Sequence, residues 1–91
     1  MERMNTMEKI NYVIQDELGI HARPAGMLAK EAGKFQSDIK VQKDDKIVDG
    51  KRIFGLMSLG VQKGDKVTVS AEGPDEADAI LVIEEFLKRN L

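Results

Sequence analysis

Between Lys9 and Gln15 the chain alternates, with Ile10, Tyr12 and Ile14 facing one way and Lys9, Asn11 and Gln15 the other. That period of two predicts a half-buried strand. Leu18-Gly19-Ile20 breaks the alternation, and from Ala22 the apolar positions fall at Ala25, Leu28, Ala29, Ala32 and Phe35, which is helical spacing. Pro24 fits only the first turn of such a helix, and Gly33 suits its end. Ile39 and Val41 alternate with Lys40 and Gln42, Lys43-Asp44-Asp45 supplies a turn, and Lys46 to Val48 completes a hairpin that Asp49-Gly50 ends. Residues 51 to 59 predict a short helix stopped by Gly60. After the turn at Lys63-Gly64-Asp65, Val67, Val69 and Ala71 alternate with Thr68, Ser70 and Glu72 as a fourth strand. Gly73-Pro74-Asp75 precedes a last helix, started by Pro74 or Asp75, that buries Ala79, Ile80, Ile83, Phe86 and Leu87 and carries Lys88 and Arg89 at its dipole-favoured end.

The predicted order is strand, helix, strand, strand, helix, strand, helix. Four one-sided strands need one covered face, and three one-sided helices can cover it. The expected class is α+β: a mostly antiparallel four-stranded sheet with three helices on one face and water on the other. Residues 1–6 are polar and read as an N-terminal extension, with a single domain over residues 7–91.

Composition narrows the function. The chain has 91 residues, 42% of them hydrophobic and 33% charged, as in an ordinary soluble domain. Without cysteine, thiolate chemistry, disulfides and a cysteine metal site are excluded. With one histidine, a metal site lacks its second imidazole, and no metal or cofactor is expected. A net charge of −2 with scattered Lys and Arg argues against nucleic acid as a partner. The longest apolar run, Ala79 to Ile83, is far short of a membrane span, and no signal peptide is evident, so the expected location is the cytoplasm. No serine sits in a nucleophile elbow, which argues against a Ser-His-Asp hydrolase.

The single histidine lies in Gly19-Ile20-His21-Ala22-Arg23-Pro24-Ala25, where a strand gives way to a helix. The first N–H groups of a helix have no intrahelical partners and carry partial positive charge. An anion on His21 would meet those of Ala22 and Arg23. The Arg23 guanidinium adds a planar fork matched to phosphate oxygens. Imidazole is a good nucleophile near neutral pH, so this junction is equipped to take up and release a phosphoryl group. A lone histidine in a turn is also commonly a surface residue or a cap. Further along, Ile53-Phe54-Gly55-Leu56-Met57-Ser58-Leu59 is too apolar for one short helix to bury whole. Either Ile53, Phe54 and Met57 form an exposed interaction surface, or Gly55 lets the segment bend and bury both sides.

At Gly19–Ala25, at Ile53-Phe54-Gly55-Leu56-Met57-Ser58-Leu59-Gly60 and at Lys63 to Gly73, the chain closely resembles the HPr family, the histidine phosphocarriers of the bacterial sugar phosphotransferase system. The resemblance spans residues 7–91 and implies an open-faced β-sandwich. It implies that His21 is phosphorylated on Nδ1 by Enzyme I, with phosphoenolpyruvate as the original donor, and that the group passes to an Enzyme IIA. Such a protein is a carrier rather than a turnover catalyst, and a relay presenting one face twice is most simply a monomer. Arg23 matches the family's active-site arginine, and Ile53, Phe54 and Met57 its docking surface, which favours their exposure. Two positions depart from the pattern. Where many Gram-positive relatives carry a regulatory serine, this chain has Arg52 after Lys51, so kinase control at that site is not expected. Leu18 replaces a residue that is polar in several sugar carriers and leucine in some nitrogen-branch relatives. The alternatives are therefore a nitrogen-branch or specialised carrier, or a regulatory binding module using the same face. Relatives of the last kind lack the histidine and keep the serine, and this chain shows the reverse.

Overall fold

A computed structural model describes residues 7–91. The expected extension at residues 1–6 lies outside the described residues. The elements follow the predicted order: β1 (Glu8–Val13), α1 (Ala22–Ala32), β2 (Asp38–Lys43), β3 (Lys46–Asp49), α2 (Ile53–Ser58), β4 (Lys66–Glu72) and α3 (Glu76–Asn90). The four strands form one sheet in the order β1-β4-β2-β3, and every adjacent pair is antiparallel. The sequence pattern predicts the strands but not this order, in which β4, last in the chain, is inserted between β1 and β2.

One face of the sheet is apolar. Ile39, Val41, Val67, Val69 and Ala71 are buried against Leu28 and Ala32 of α1, Leu56 of α2 and Ala79, Ile83 and Leu87 of α3. The opposite face carries polar side chains, and Thr68 donates from its hydroxyl to Asn11 Oδ1 at 2.7 Å across the β1–β4 pair. β1 is an edge strand, so Ile10 and Tyr12 are only half-buried, and it ends at Val13 rather than Gln15. Ile14 is buried beyond its end, tied through its N–H to the Asp65 carbonyl at 2.9 Å. Gly33 does cap α1, but in a right-handed conformation (φ −65°) rather than the left-handed one a C-terminal glycine often supplies. Asp75 is the N-cap residue of α3.

The topology decides where the functional groups gather. β1 and β2 both pair antiparallel with β4 and therefore run parallel to each other, which requires α1 to carry the chain back between them. The N-terminus of α1 thus lies at the sheet end where β1 finishes. α3 packs on β1 and β4 and returns against β4, so its C-terminus arrives at that same end. The junction is sealed by the Leu91 main-chain oxygen, which accepts from the N–H groups of Gln15 (2.5 Å) and Asp16 (2.9 Å).

Candidate phosphoryl site and docking face

The chain between β1 and α1 is held by one glycine that no other residue could replace without movement. Gly19 has φ +67°, in the left-handed region, and a Cβ there would lie 2.2 Å from the Val61 carbonyl oxygen. That same carbonyl accepts from the Ile20 N–H at 3.1 Å, and Ile20 is buried in the core. The loop after α2 therefore anchors residues 19 and 20, the two that lead into His21.

His21 is the N-cap residue of α1, extended at φ −107° and ψ −174°. Its carbonyl accepts the first helical bond, from Ala25 N–H at 2.9 Å. Its side chain caps nothing and is 39% exposed. Pro24 is buried in the first turn, where its missing N–H is harmless. The N–H groups of Ala22 and Arg23 precede the first intrahelical bond, and both residues are exposed. The first turn of α1 contains no acidic side chain, whereas that of α3 contains Glu76 and Asp78. The first turn of α1 therefore sets no carboxylate of its own at the positive end of the dipole. The Arg23 side chain makes no ion pair among the described residues.

Structure adds three groups that the motif does not reveal. A depression of about 230 Å³ at this end of the sheet is lined by Asp16, His21, Arg23, Pro24, Met27, Arg89 and Asn90. Asp16 Oδ2 lies 3.8 Å from His21 Nε2. Arg89 and Asn90 reach the site from the end of α3, nearly seventy positions away in the chain. No spacing in the sequence could have found those two. Asp16 does carry a local signal: an aspartate two residues before a backbone N–H forms a turn with its own side chain, as Asp16 Oδ2 does with Leu18 N–H at 3.0 Å.

α2 divides the three predicted docking residues. Phe54 is 80% exposed and Met57 38%. Ile53, expected on the surface with them, is half-buried and packs against the core. The reason is the close approach of α1: a Cβ at Gly26 would meet Ile53 Cδ1 at 3.3 Å, so Ile53 fills the seam that glycine opens. Leu56 and Leu59 are buried beneath. Arg52 stands at the N-cap of α2, its side chain exposed and 3.8 Å from Asp49 Oδ2. Leu18, exposed at the loop tip, adds apolar surface on the β1–α1 connection. Among the described residues no helix is long and apolar enough to cross a membrane.

An exposed imidazole at an open helix N-terminus, with an arginine two positions on, is an arrangement able to hold a phosphoryl group. The family model for the PTS HPr component phosphorylation site matches residues 8–89. The fold is similar to the phosphocarrier protein HPr of Bacillus anthracis, with a TM-score of 0.85, 34% identity, and coverage of 91% of this chain and 99% of that one. It is equally similar to HPr of Thermoanaerobacter tengcongensis, with a TM-score of 0.85, 43% identity, and coverage of 89% and 91%. Bacillus subtilis Crh, a catabolite repression protein crystallised as a dimer with a swapped domain, matches with a TM-score of 0.75, 38% identity, and coverage of 88% and 92%. The chain belongs to the HPr family, the phosphocarrier proteins of the phosphotransferase system.

Proposed function

We propose that His21 is the residue on which this phosphocarrier holds its phosphoryl group. It receives the group on Nδ1 from Enzyme I, with phosphoenolpyruvate as the original donor, and surrenders it to an Enzyme IIA domain of a sugar transporter. The observation that carries this reading is the chain's one histidine at the N-cap of α1, half-exposed, with no acidic residue in the turn that follows. A phosphoryl group there faces the Ala22 and Arg23 N–H groups, and the Arg23 guanidinium supplies the charge that follows it in and out. Phe54 and Met57, with the outer edge of Ile53, form the apolar surface against which both partners dock. The protein acts as a monomer in the cytoplasm, as a phosphorylated intermediate rather than a turnover catalyst.

The regulatory-module reading loses support at α2, where the N-cap side chain is the guanidinium of Arg52 and offers no hydroxyl to a kinase. The nitrogen-branch reading draws on Leu18, exposed where a polar residue would suit a sugar carrier. Discharge of the phosphorylated protein tests the relay. Added Enzyme IIA should take the phosphoryl group within the mixing time, while Arg23→Ala should slow that transfer with its melting temperature unchanged. A nitrogen-type acceptor discharging the protein while sugar-type acceptors leave it loaded would move the assignment to the nitrogen branch. Failure of every acceptor would refute the relay.

A further inference from the structure

The side of the imidazole away from the proposed phosphoryl position faces a carboxylate that is itself held still. Asp16 Oδ2 lies 3.8 Å from His21 Nε2. The same oxygen accepts from Leu18 N–H at 3.0 Å, the Asp16 carbonyl accepts from Gly19 N–H at 3.1 Å, and the Asp16 N–H donates to the Leu91 oxygen at 2.9 Å. Three bonds from three different residues thus fix the residue, and its side chain remains 36% exposed on the depression it shares with His21. The other charged groups on that depression are cationic. They are Arg23 on α1, and Arg89 on α3, which lies 4.0 Å from Glu85. Among the described residues lining that depression Asp16 is the one acidic side chain, while the Leu91 carboxyl end lies behind it on the Asp16 N–H.

We propose that Asp16 is the positioning residue of the phosphoryl site, holding a proton on Nε2 so that Nδ1 presents its lone pair, and balancing the imidazolium that phosphorylation creates. The proposal rests on His21 being the acceptor. The chemistry balances without any proton moving. The Nδ1 lone pair attacks the donor's phosphorus, the N–P bond forms, and the donor's bond to phosphorus breaks with its electron pair leaving on the donor. The ring, keeping its Nε2 proton, becomes a cation beside the Asp16 carboxylate. On discharge the N–P electron pair returns to Nδ1, and the ring is again neutral with its proton on Nε2. A neighbouring imidazole nitrogen facing a carboxylate is the arrangement that selects which nitrogen carries hydrogen. Because the N–P bond leaves the ring a cation, Asp16 favours loading and resists loss of the Nε2 proton, without entering the transfer itself.

Asp16→Asn is the informative variant, because its amide oxygen can still accept from Leu18 N–H and keep the turn. The full-length protein and the variant would be loaded with Enzyme I and phosphoenolpyruvate, counted by intact mass, and titrated by nitrogen-15 NMR of the phosphorylated ring. The proposal expects both to load on His21, and the pH midpoint at which the phosphorylated ring loses its Nε2 proton to fall in the variant, because an opposite charge beside the cation is removed. Asp16→Glu, retaining the charge, should recover at least part of that shift. An unchanged midpoint in a fully loaded Asp16→Asn protein would overturn the role of Asp16 and leave the acceptor assignment standing. A wild-type chain that does not load would overturn both.

Discussion

Replacing Phe54 by aspartate separates a docking residue from a core residue, because the two readings predict opposite balances of binding and stability. Phe54 is 80% exposed. Only about a fifth of a side chain that can bury about 200 Å², or roughly 40 Å², leaves water on folding. At about 25 cal/mol per Å² that area contributes about 1 kcal/mol. Residue 54 is the second of α2, where a carboxylate interacts favourably with the helix dipole by about 0.3–1 kcal/mol. The two effects nearly cancel, so the variant's melting temperature should stay within roughly 8 °C of wild type. Binding is different. A partner covering the remaining area of about 160 Å² gains up to about 4 kcal/mol from it, and the variant forces a carboxylate into that contact. A loss of at least about 2.8 kcal/mol, or about a hundredfold in Kd, is expected in calorimetric titration with Enzyme I. A melting temperature lowered by much more than about 10 °C, or an affinity within about twofold of wild type, would refute the reasoning.

Leu56, two positions along and fully buried, should behave oppositely: Leu56→Ala should lower the unfolding free energy by about 2–5 kcal/mol in urea titration. Gly19→Ala must place a Cβ 2.2 Å from the Val61 carbonyl at a left-handed φ, so it should cost at least about 1–2 kcal/mol and also slow phosphoryl transfer by displacing His21. Acid should weaken the fold through Asp75, whose carboxyl is held below its ordinary value by the Ser37 hydroxyl and then by the Gln36 N–H. That contribution is present above the unfolded-state value of about 4 and is lost as pH falls through the lower folded-state value. Asp65, held low by Gln62 N–H and then by Lys43, acts in the same direction. Asp75→Asn should therefore lower the urea midpoint at pH 7 more than at pH 3, and equal losses at both would remove Asp75 from the acid response.

The strands and helices were legible because each shows one face to a single core. Val67, Val69 and Ala71 alternate in the sequence and alternate in burial, and Ala79, Ile80, Ile83, Phe86 and Leu87 are buried on α3 as their spacing predicts. What sequence periodicity does not carry is contact between distant segments. Ile53 looked like a surface residue because its partner, the bare backbone at Gly26, lies on another helix. Buried Ser37 carries no local signal in the sequence because the carboxylate that satisfies it belongs to Asp75 at the start of α3. At the site, the His21 motif is local and readable, as helix starts are. The approach of Asp16, Arg89 and Asn90 depends on the end of α3 meeting the end of β1, which only the sheet order brings about.

The central claim is that His21 carries the phosphoryl group, and intact-mass analysis after incubation with Enzyme I, phosphoenolpyruvate and magnesium tests it most directly. The account predicts one added phosphoryl group, lost in mild acid and absent from His21→Ala. A phosphoryl group retained in His21→Ala, or none in folded wild-type protein beside an Enzyme I active on another carrier, would contradict it.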